Sequence, residues 1–442
     1  IPASASIKMK ISIIGTGYVG LVSAACFADS GHSVLSLDKD KYKIKLLSSG
    51  KTSIFEPKLK TLLKKNIKDG RLSFTTSFSR ACNADLLILC IDTPSKKSGD
   101  PDLKNLNIAL RQISKFLRKD LFLIIKSTVP IGTNEYIDDF FKKNSKFKVE
   151  IISNPEFLKE GSAVQDFVFP SRIIVGCNSK ASKKIMKKLY APLKLAQKKI
   201  IFMSANSAEL TKYASNSFLA TKISFINKIS QLADLTNANI HDIKLGLGSD
   251  PRIGEEFLNA GLGYGGSCFP KDIKALISLE KKSNLPFSIF SVVEKINNQQ
   301  YEIFYNKILR AFENSNLKNK SFFIWGLSFK PNTDDIRDSI SIRLIKKLSP
   351  QVKHIYVYDP QAMPSASKSL SDIKNITFSD NSYHNIEKSH ALVLCTEWNE
   401  FKNPVFKKLK NLKDKKIFDG RNFLEKSEVI DHGIEYIGLG IN

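Results

Sequence analysis

Long apolar runs are missing from this 442-residue chain, and no segment reaches the length needed to cross a bilayer. No secretory signal pattern opens it either. The first residues, "IPASASIK", lack an initiator methionine, so Met9 is expected to be the native start. Cysteines are few and scattered, at Cys26, Cys82, Cys90, Cys177, Cys268 and Cys395, with no C-x-x-C spacing. In a chain of this size that argues against a disulfide frame and for reduced thiols in the cytoplasm. Arginine is scarce as well: ten residues against fifty-eight lysines, within a formal charge of +25. A nucleic-acid binder clusters its cations and favours the planar guanidinium for bidentate contacts. Here the cations are spread along the whole chain. "KKIMKK" and "KKLKNLKDKK" place them beside Leu, Ile and Met at helical spacing, and no helix-turn-helix or zinc signature accompanies them. Solvated helix faces are the expectation, with neither nucleic acid nor membrane as a partner and no metal site.

What is present is a globular composition, 42% hydrophobic and 25% charged, in a chain too long for one core. From Lys10 it reads "KISIIGTGYVG", an apolar β run entering a glycine turn, then "LVSAACFADSG", a helix of small residues ending at Gly31. "HSVLSLDKD" is a second strand, ending in acid. "DLLILCIDTP", "LFLIIKSTVP", "VEIISNPEF" and "RIIVG" are further strand candidates, with a helix near "LNIALRQISKFL". Short apolar strands alternating with helices predict a parallel, doubly wound sheet. From Ser204 the stretch "SANSAELTKYASNSFLATKISFINKISQLADLTN" is free of Pro and Gly and predicts one extended helix, with helical segments continuing to Ile308. Alternation of strand and helix then returns in "KSFFIWGLSFK", "HIYVYDP", "HALVLCTEW" and "KKIFDGRN". The order of "IWGLSFK" and "IYVYDP" echoes that of "IIGTGYVG" and "LSLDKD". The expected architecture is α/β: two Rossmann-like, doubly wound domains, residues 9–203 and 309–442, joined by a long central helix and a helical dimerisation region, residues 204–308.

Gly15, Gly17 and Gly20 form G-x-G-x-x-G directly after a strand and at a helix start. Glycines there permit a tight turn and let backbone N–H groups approach a pyrophosphate. Asp38 follows Gly20 by eighteen residues, at the end of the next strand. A carboxylate in that place suits a ribose diol and repels a 2′-phosphate, so NAD is expected rather than NADP.

One thiol stands apart. "GGSCFPKD", Gly265 to Asp272, sets Cys268 on a glycine approach with an ammonium and a carboxylate close behind. A packing cysteine gains nothing from glycines, whereas a reactive one needs access and a nearby cation. Cys26 and Cys90 lie on apolar elements and are read as core. Lys212 and Asn216 sit at i and i+4 on the long helix, on one face. Arg252 is the only arginine between Ser204 and Ile308, which suggests planar anion recognition; an ion pair with Glu255 or Glu256 is the plainer alternative.

The blocks "GTGYVGLVSAACFA", "KSTVPIGT", "NPEFLKEGSAVQDF", "AELTKYASNSFLATKISFIN", "RIGEEFLNAGLGYGGSCFPKD", "WGLSFKPNTDDIRDS" and "FDGRN" occur in that order. On them the chain, from about Met9 to its C-terminus, resembles the UDP-glucose 6-dehydrogenase family within the nucleotide-sugar dehydrogenases. The resemblance implies a four-electron oxidation of UDP-glucose to UDP-glucuronate with two NAD used in turn, by a homodimer or higher homo-oligomer. It makes Cys268 the nucleophile, Lys212 and Asn216 the oxyanion donors, and Asp272 the carboxylate that positions a water with Thr128 as base. Glu156 is matched to thioester hydrolysis and Glu160 to the nicotinamide ribose. Further cofactor contacts fall on Tyr18, Val19, Lys43, Thr93, Lys271 and Arg337, beside the three glycines and Asp38. Sugar-nucleotide contacts fall on Phe157, Leu158, Phe257, Leu258, Tyr264, Gly265, Lys330 and Arg421, with Arg252 reaching the neighbouring subunit's site. One departure stands out: the turn before Thr-Pro usually carries a small or neutral residue, and here it is Asp92. The rival readings are a dehydrogenase of another nucleotide sugar, such as a UDP-N-acetylhexosamine or GDP-mannose, and a binding protein that kept the fold without catalysis.

Overall fold

The computed structural model describes residues 8–52, 54–193 and 199–441. The residues before Lys8, set apart by the expected start at Met9, lie outside the described ones. Two compact units divide the chain at Ser215 and Asn216.

The first unit is built on eight strands: β1 Lys10–Ile14, β2 Ser33–Leu37, β3 Leu72–Thr75, β4 Leu86–Leu89, β5 Leu121–Ile125, β6 Val149–Ser153, β7 Ile173–Gly176 and β8 Ile200–Met203. Their order is β3-β2-β1-β4-β5-β6-β7-β8, with β1 to β6 parallel and Ile11 opposite both Val34 and Leu86. The strands read as unbroken apolar runs because helices cover both sheet faces; all four residues of β4 are buried. The helix Tyr18–Asp29 lies close on the sheet because its inward residues include Gly20, Ala24, Ala25 and Ala28. Sequence periodicity suggests a wholly parallel sheet, yet β7 runs antiparallel to β6, joined at Ser153 and Gly176. The intervening segment therefore leaves and re-enters at one sheet edge, the carboxyl edge that also carries Gly15 and Thr128. In such sheets that edge is where ligands bind.

In the second unit six parallel strands repeat the same winding: β9 Ser321–Trp325, β10 His354–Tyr358, β11 Ile376–Phe378, β12 Ala391–Leu394, β13 Lys416–Asp419 and β14 Glu435–Ile437, in the order β11-β10-β9-β12-β13-β14. The echo in the sequence is an echo in space: Gly15 N–H donates to Leu37 O at 2.8 Å, and Gly326 N–H donates to Tyr358 O at 2.8 Å. The helix Ala205–Thr236 runs unbroken across the division, and Phe269–Lys282 and Ile289–Ala311 follow it. The lysines of "KKIMKK" are mostly on the outer face of the helix Lys180–Tyr190, which buries Met186, Leu189 and Tyr190. No helix among the described residues is long and apolar enough to cross a membrane.

Candidate active site

The glycine turn is a cradle that side chains would fill. Gly15 has φ +100, and a Cβ there would lie 2.2 Å from Cys90 O; at Gly20 a Cβ would lie 1.9 Å from Gly15 O. No side chain caps the helix Tyr18–Asp29 that starts at this turn, so its leading N–H groups are available to an anion. Asp38 stands just past β2. Its carboxylate accepts from Thr16 N–H at 3.0 Å and Thr16 Oγ1 at 2.6 Å, and Lys43 Nζ is 3.5 Å away. Burial works against the charge, but the donors from Thr16 and Asp40, with Lys43, outweigh it and hold the carboxyl below its usual range. A charged acid beside the glycine turn fits the ribose end of a dinucleotide. Thr93, two residues past Ile91, donates from Oγ1 to Thr128 O at 2.5 Å.

Glu156 follows β6 in an extended segment, and no helix begins there. The i, i+4 spacing of Glu156 and Glu160 is thus not that of an acidic helix start. Proline at 155 disfavours helix before it, and Glu156 turns inward. It is buried, accepts from Lys212 Nζ at 3.0 Å, and takes Leu158 N–H at 2.6 Å on its other oxygen. The Phe157 ring lies under the Arg172 guanidinium at 4.0 Å. Thr128, Pro155 and Lys212 meet around a cavity of about 10 Å³, room for one water, with Glu209 also in its wall. Glu209 accepts from Gly132 and Asn134 N–H at 2.7 and 3.0 Å, fixing the turn after "KSTVP". Burial pushes its carboxyl up.

In the second unit Cys268 caps the helix Phe269–Lys282 and is the one partly exposed cysteine; the other five are buried. Asp272, one turn on, is buried and accepts from Asn216 Nδ2 at 2.6 Å and Lys271 Nζ at 2.7 Å. The approach to Cys268 is packed rather than loose. Gly266 has φ +81 and a Cβ on it would lie 2.6 Å from the Phe329 ring. Tyr264 is clamped by Asn297, which accepts its N–H at 2.8 Å and donates to its carbonyl at 3.0 Å. Leu258 is buried, and its neighbour Phe257, at φ +65, sets its ring 6.3 Å from Phe269. Arg421 donates to the carbonyls of Cys395, Gly263 and Phe329, so its guanidinium braces this loop. Lys330 Nζ lies over the Phe329 ring at 5.5 Å. Arg252 pairs with Asp250 at 2.6 Å, not with Glu255 or Glu256, because the segment after Ser249 is a turn and not a helix. Arg337 pairs in the same way with Asp335.

Sequence reasoning overlooked Glu56 and Lys126. Glu56 is buried, bonded to the Tyr18 hydroxyl, and accepts from Gly161 N–H at 2.7 Å, tying the glycine turn to the segment past Glu160. Its only signal was an acid framed by Phe and Pro. Lys126 is buried and donates to Asn154 Oδ1 at 3.3 Å, holding the strand end before Glu156.

The second sheet has an acid at the position of Asp38, but Asp359 is buried and occupied. It accepts from the Leu327, Ser328, Gln361 and Ala362 N–H groups and from Trp398 Nε1. In the first sheet the acid, Asp38, stays partly exposed beside the glycine turn, whereas Asp359 is fully enclosed, and the class defined is an NAD-dependent dehydrogenase with a second, differently used Rossmann half. Residues 9–194, 206–299 and 323–426 match the NAD binding, central and UDP binding domains of the UDP-glucose/GDP-mannose dehydrogenase family, and the chain belongs to that family. It is 39% identical to UDP-glucose 6-dehydrogenase of Rhizobium meliloti, over 98% of this chain and 99% of that protein. It is 37% identical to UDP-glucose 6-dehydrogenase YwqF of Bacillus subtilis, over 98% of each. Among solved structures, a UDP-glucose dehydrogenase from Pyrobaculum islandicum superposes with a TM-score of 0.90 at 30% identity, covering 100% of both chains. A UDP-D-ManNAc dehydrogenase from Pyrococcus horikoshii superposes at 0.86 and 26% identity, covering 98% of this chain and 99% of that one.

Replacing Asp38 with alanine is expected to lower the preference for NAD over NADP roughly tenfold, since the charge that opposes a 2′-phosphate is gone. The ratio of kcat/KM for the two cofactors measures it, and an unchanged ratio places Asp38 away from the ribose.

Proposed function

We propose that this chain oxidises UDP-glucose to UDP-glucuronate with two NAD per sugar, through covalent chemistry at Cys268. The observation that carries the reading is the Cys268–Asp272 pair heading one helix, a partly exposed thiol one turn from a buried carboxylate that Asn216 and Lys271 hold. Near-full-length similarity to UDP-glucose 6-dehydrogenases supports the sugar. NAD supplies the hydride acceptor, once for each oxidation. Thr128, with a water, takes the proton of the primary alcohol as the aldehyde forms. The Cys268 thiolate adds to the aldehyde carbon as a thiohemiacetal, whose loss of hydride leaves a thioester. Lys212 and Asn216 donate to the oxygen on which negative charge develops. Glu156 orients the water that breaks the carbon–sulfur bond, releasing carboxylate and thiol. Residues 9–203 carry the cofactor, 309–442 the uridine nucleotide, and 204–308 the thiol.

The same reading makes the protein cytoplasmic and a homodimer or higher homo-oligomer. Phe218, Phe225 and Leu232 recur every seven residues along the long helix and are exposed, with Leu235 beyond them. The exposed Arg252 is free to face a neighbouring subunit's nucleotide once Asp250 releases it. Sedimentation gives the oligomer directly.

The test is NADH release with a panel of nucleotide sugars. Limiting UDP-glucose should yield two NADH per sugar and no accumulating aldehyde. One NADH per sugar overturns the four-electron reaction, and faster turnover of a UDP-N-acetylhexosamine or GDP-mannose overturns the sugar.

A further inference from the structure

Asp92 follows β4 in "CIDTP", between two pinned neighbours. Ile91 N–H donates to Ser127 Oγ at 2.7 Å, and Thr93 Oγ1 donates to Thr128 O at 2.5 Å, so the backbone on either side is held. The carboxylate between them faces the glycine turn: its two oxygens lie 3.4 and 3.8 Å from the point a Cβ on Gly17 would occupy. Among the described residues no hydrogen bond or ion pair holds that carboxylate, and the side chain is exposed. Gly17 is the residue just ahead of the 12-residue helix Tyr18–Asp29, and its missing side chain leaves the space through which a pyrophosphate approaches the helix N-terminus.

We propose that Asp92 weakens dinucleotide binding and speeds cofactor exchange by setting a negative charge against the pyrophosphate cradle. In the cofactor-free protein its carboxylate is the anion at the positive end of the helix. An incoming pyrophosphate brings further negative charge to the same place, and both the space and the field oppose it. The pinned backbone stops the loop from carrying the charge away, so only side-chain rotation relieves the repulsion. NADH has one positive charge fewer than NAD+, so a fixed negative charge beside the dinucleotide disfavours the product more than the reactant. That difference serves a reaction in which the cofactor must be exchanged once while the sugar is still attached to the enzyme, a need that rests on the two-NAD reading above.

The experiment compares Asp92→Asn, Asp92→Ala and the unaltered chain without sugar present, by calorimetric titration with ADP-ribose and NADH and by stopped-flow release of NADH. Both variants should bind ADP-ribose roughly tenfold more tightly, the size of one unit charge acting over a few ångströms in a partly solvated site, and should release NADH correspondingly more slowly. The gap should narrow as salt is raised, because mobile ions screen the repulsion. Affinity that is unchanged or lower in Asp92→Asn, or a gain that ignores salt, overturns the proposal. A gain in Asp92→Ala alone overturns it too, since relief would then come from volume and not charge. All of these are binding measurements, so they stand whether one NADH or two is produced per sugar.

Discussion

Cys268→Ala is expected to stop acid formation, lowering turnover by at least about a thousandfold, while UDP-glucose binding stays near its original strength. In the proposed reaction the thiol acts only after the sugar nucleotide has docked, so its loss removes a covalent step and leaves the docking contacts in place. Binding is read by calorimetry and turnover by NADH release. Near-normal rates in Cys268→Ala would return this residue to a structural role. The same thiol should be modified first by iodoacetamide at neutral pH. Cys82, Cys90 and Cys395 are buried, and burial pushes their thiols up to about 11, 12 and 12; Cys26 and Cys177 are raised for the same reason. Those five stay protonated and enclosed near pH 7, whereas Cys268 is partly exposed. Mass spectrometry after brief alkylation identifies the site, and preferential labelling of a buried cysteine would contradict the structure.

The second large effect is expected at Lys212. With Glu156 it forms an ion pair at 3.0 Å whose side chains are 4% and 7% exposed. Removing one partner of such a pair strands the other charge, at a cost of about 3–5 kcal/mol. Lys212→Met should therefore lower the unfolding midpoint and also reduce turnover at least about a hundredfold, the typical loss for one oxyanion donor. A second variant separates the two effects. Lys212→Met with Glu156→Leu leaves no orphan charge, and its stability should return most of the way. Because Glu156 is assigned to the later hydrolysis, the loss due to Lys212 is read in the first-turnover NADH burst, which should stay low. If that burst recovers with stability, Lys212 holds the fold and takes no part in the chemistry. If neither single nor double variant loses turnover, the oxyanion role fails outright.

Several parts of this protein were legible one segment at a time. The strand runs, the glycine turn, Asp38 at the next strand's end and the long helix each depend on a pattern within some thirty residues, and the structure holds them as Gly15 at φ +100, the Thr16–Asp38 bonds and the helix Ala205–Thr236. Cys268 was legible because its neighbours are wrong for a packing role. The glycines before it are not slack, which the sequence alone does not show: Gly266 is bare because the Phe329 ring occupies the space of its side chain, and Phe329 is sixty-three residues away.

Every such pairing across distance was left to tertiary structure. Local periodicity specifies which face a residue takes, but not which other segment that face meets, and desolvation depends on the meeting. So Glu156 and Lys212 became a buried ion pair only when the segment after β6 was laid against the helix. Asp359, with the same strand-end position as Asp38, was withdrawn from ligand duty by Trp398 and four backbone donors. Asp92 shows the same division: its identity was plain in the sequence, but only the close approach of β4's end to Gly17 turned its carboxylate toward the cradle.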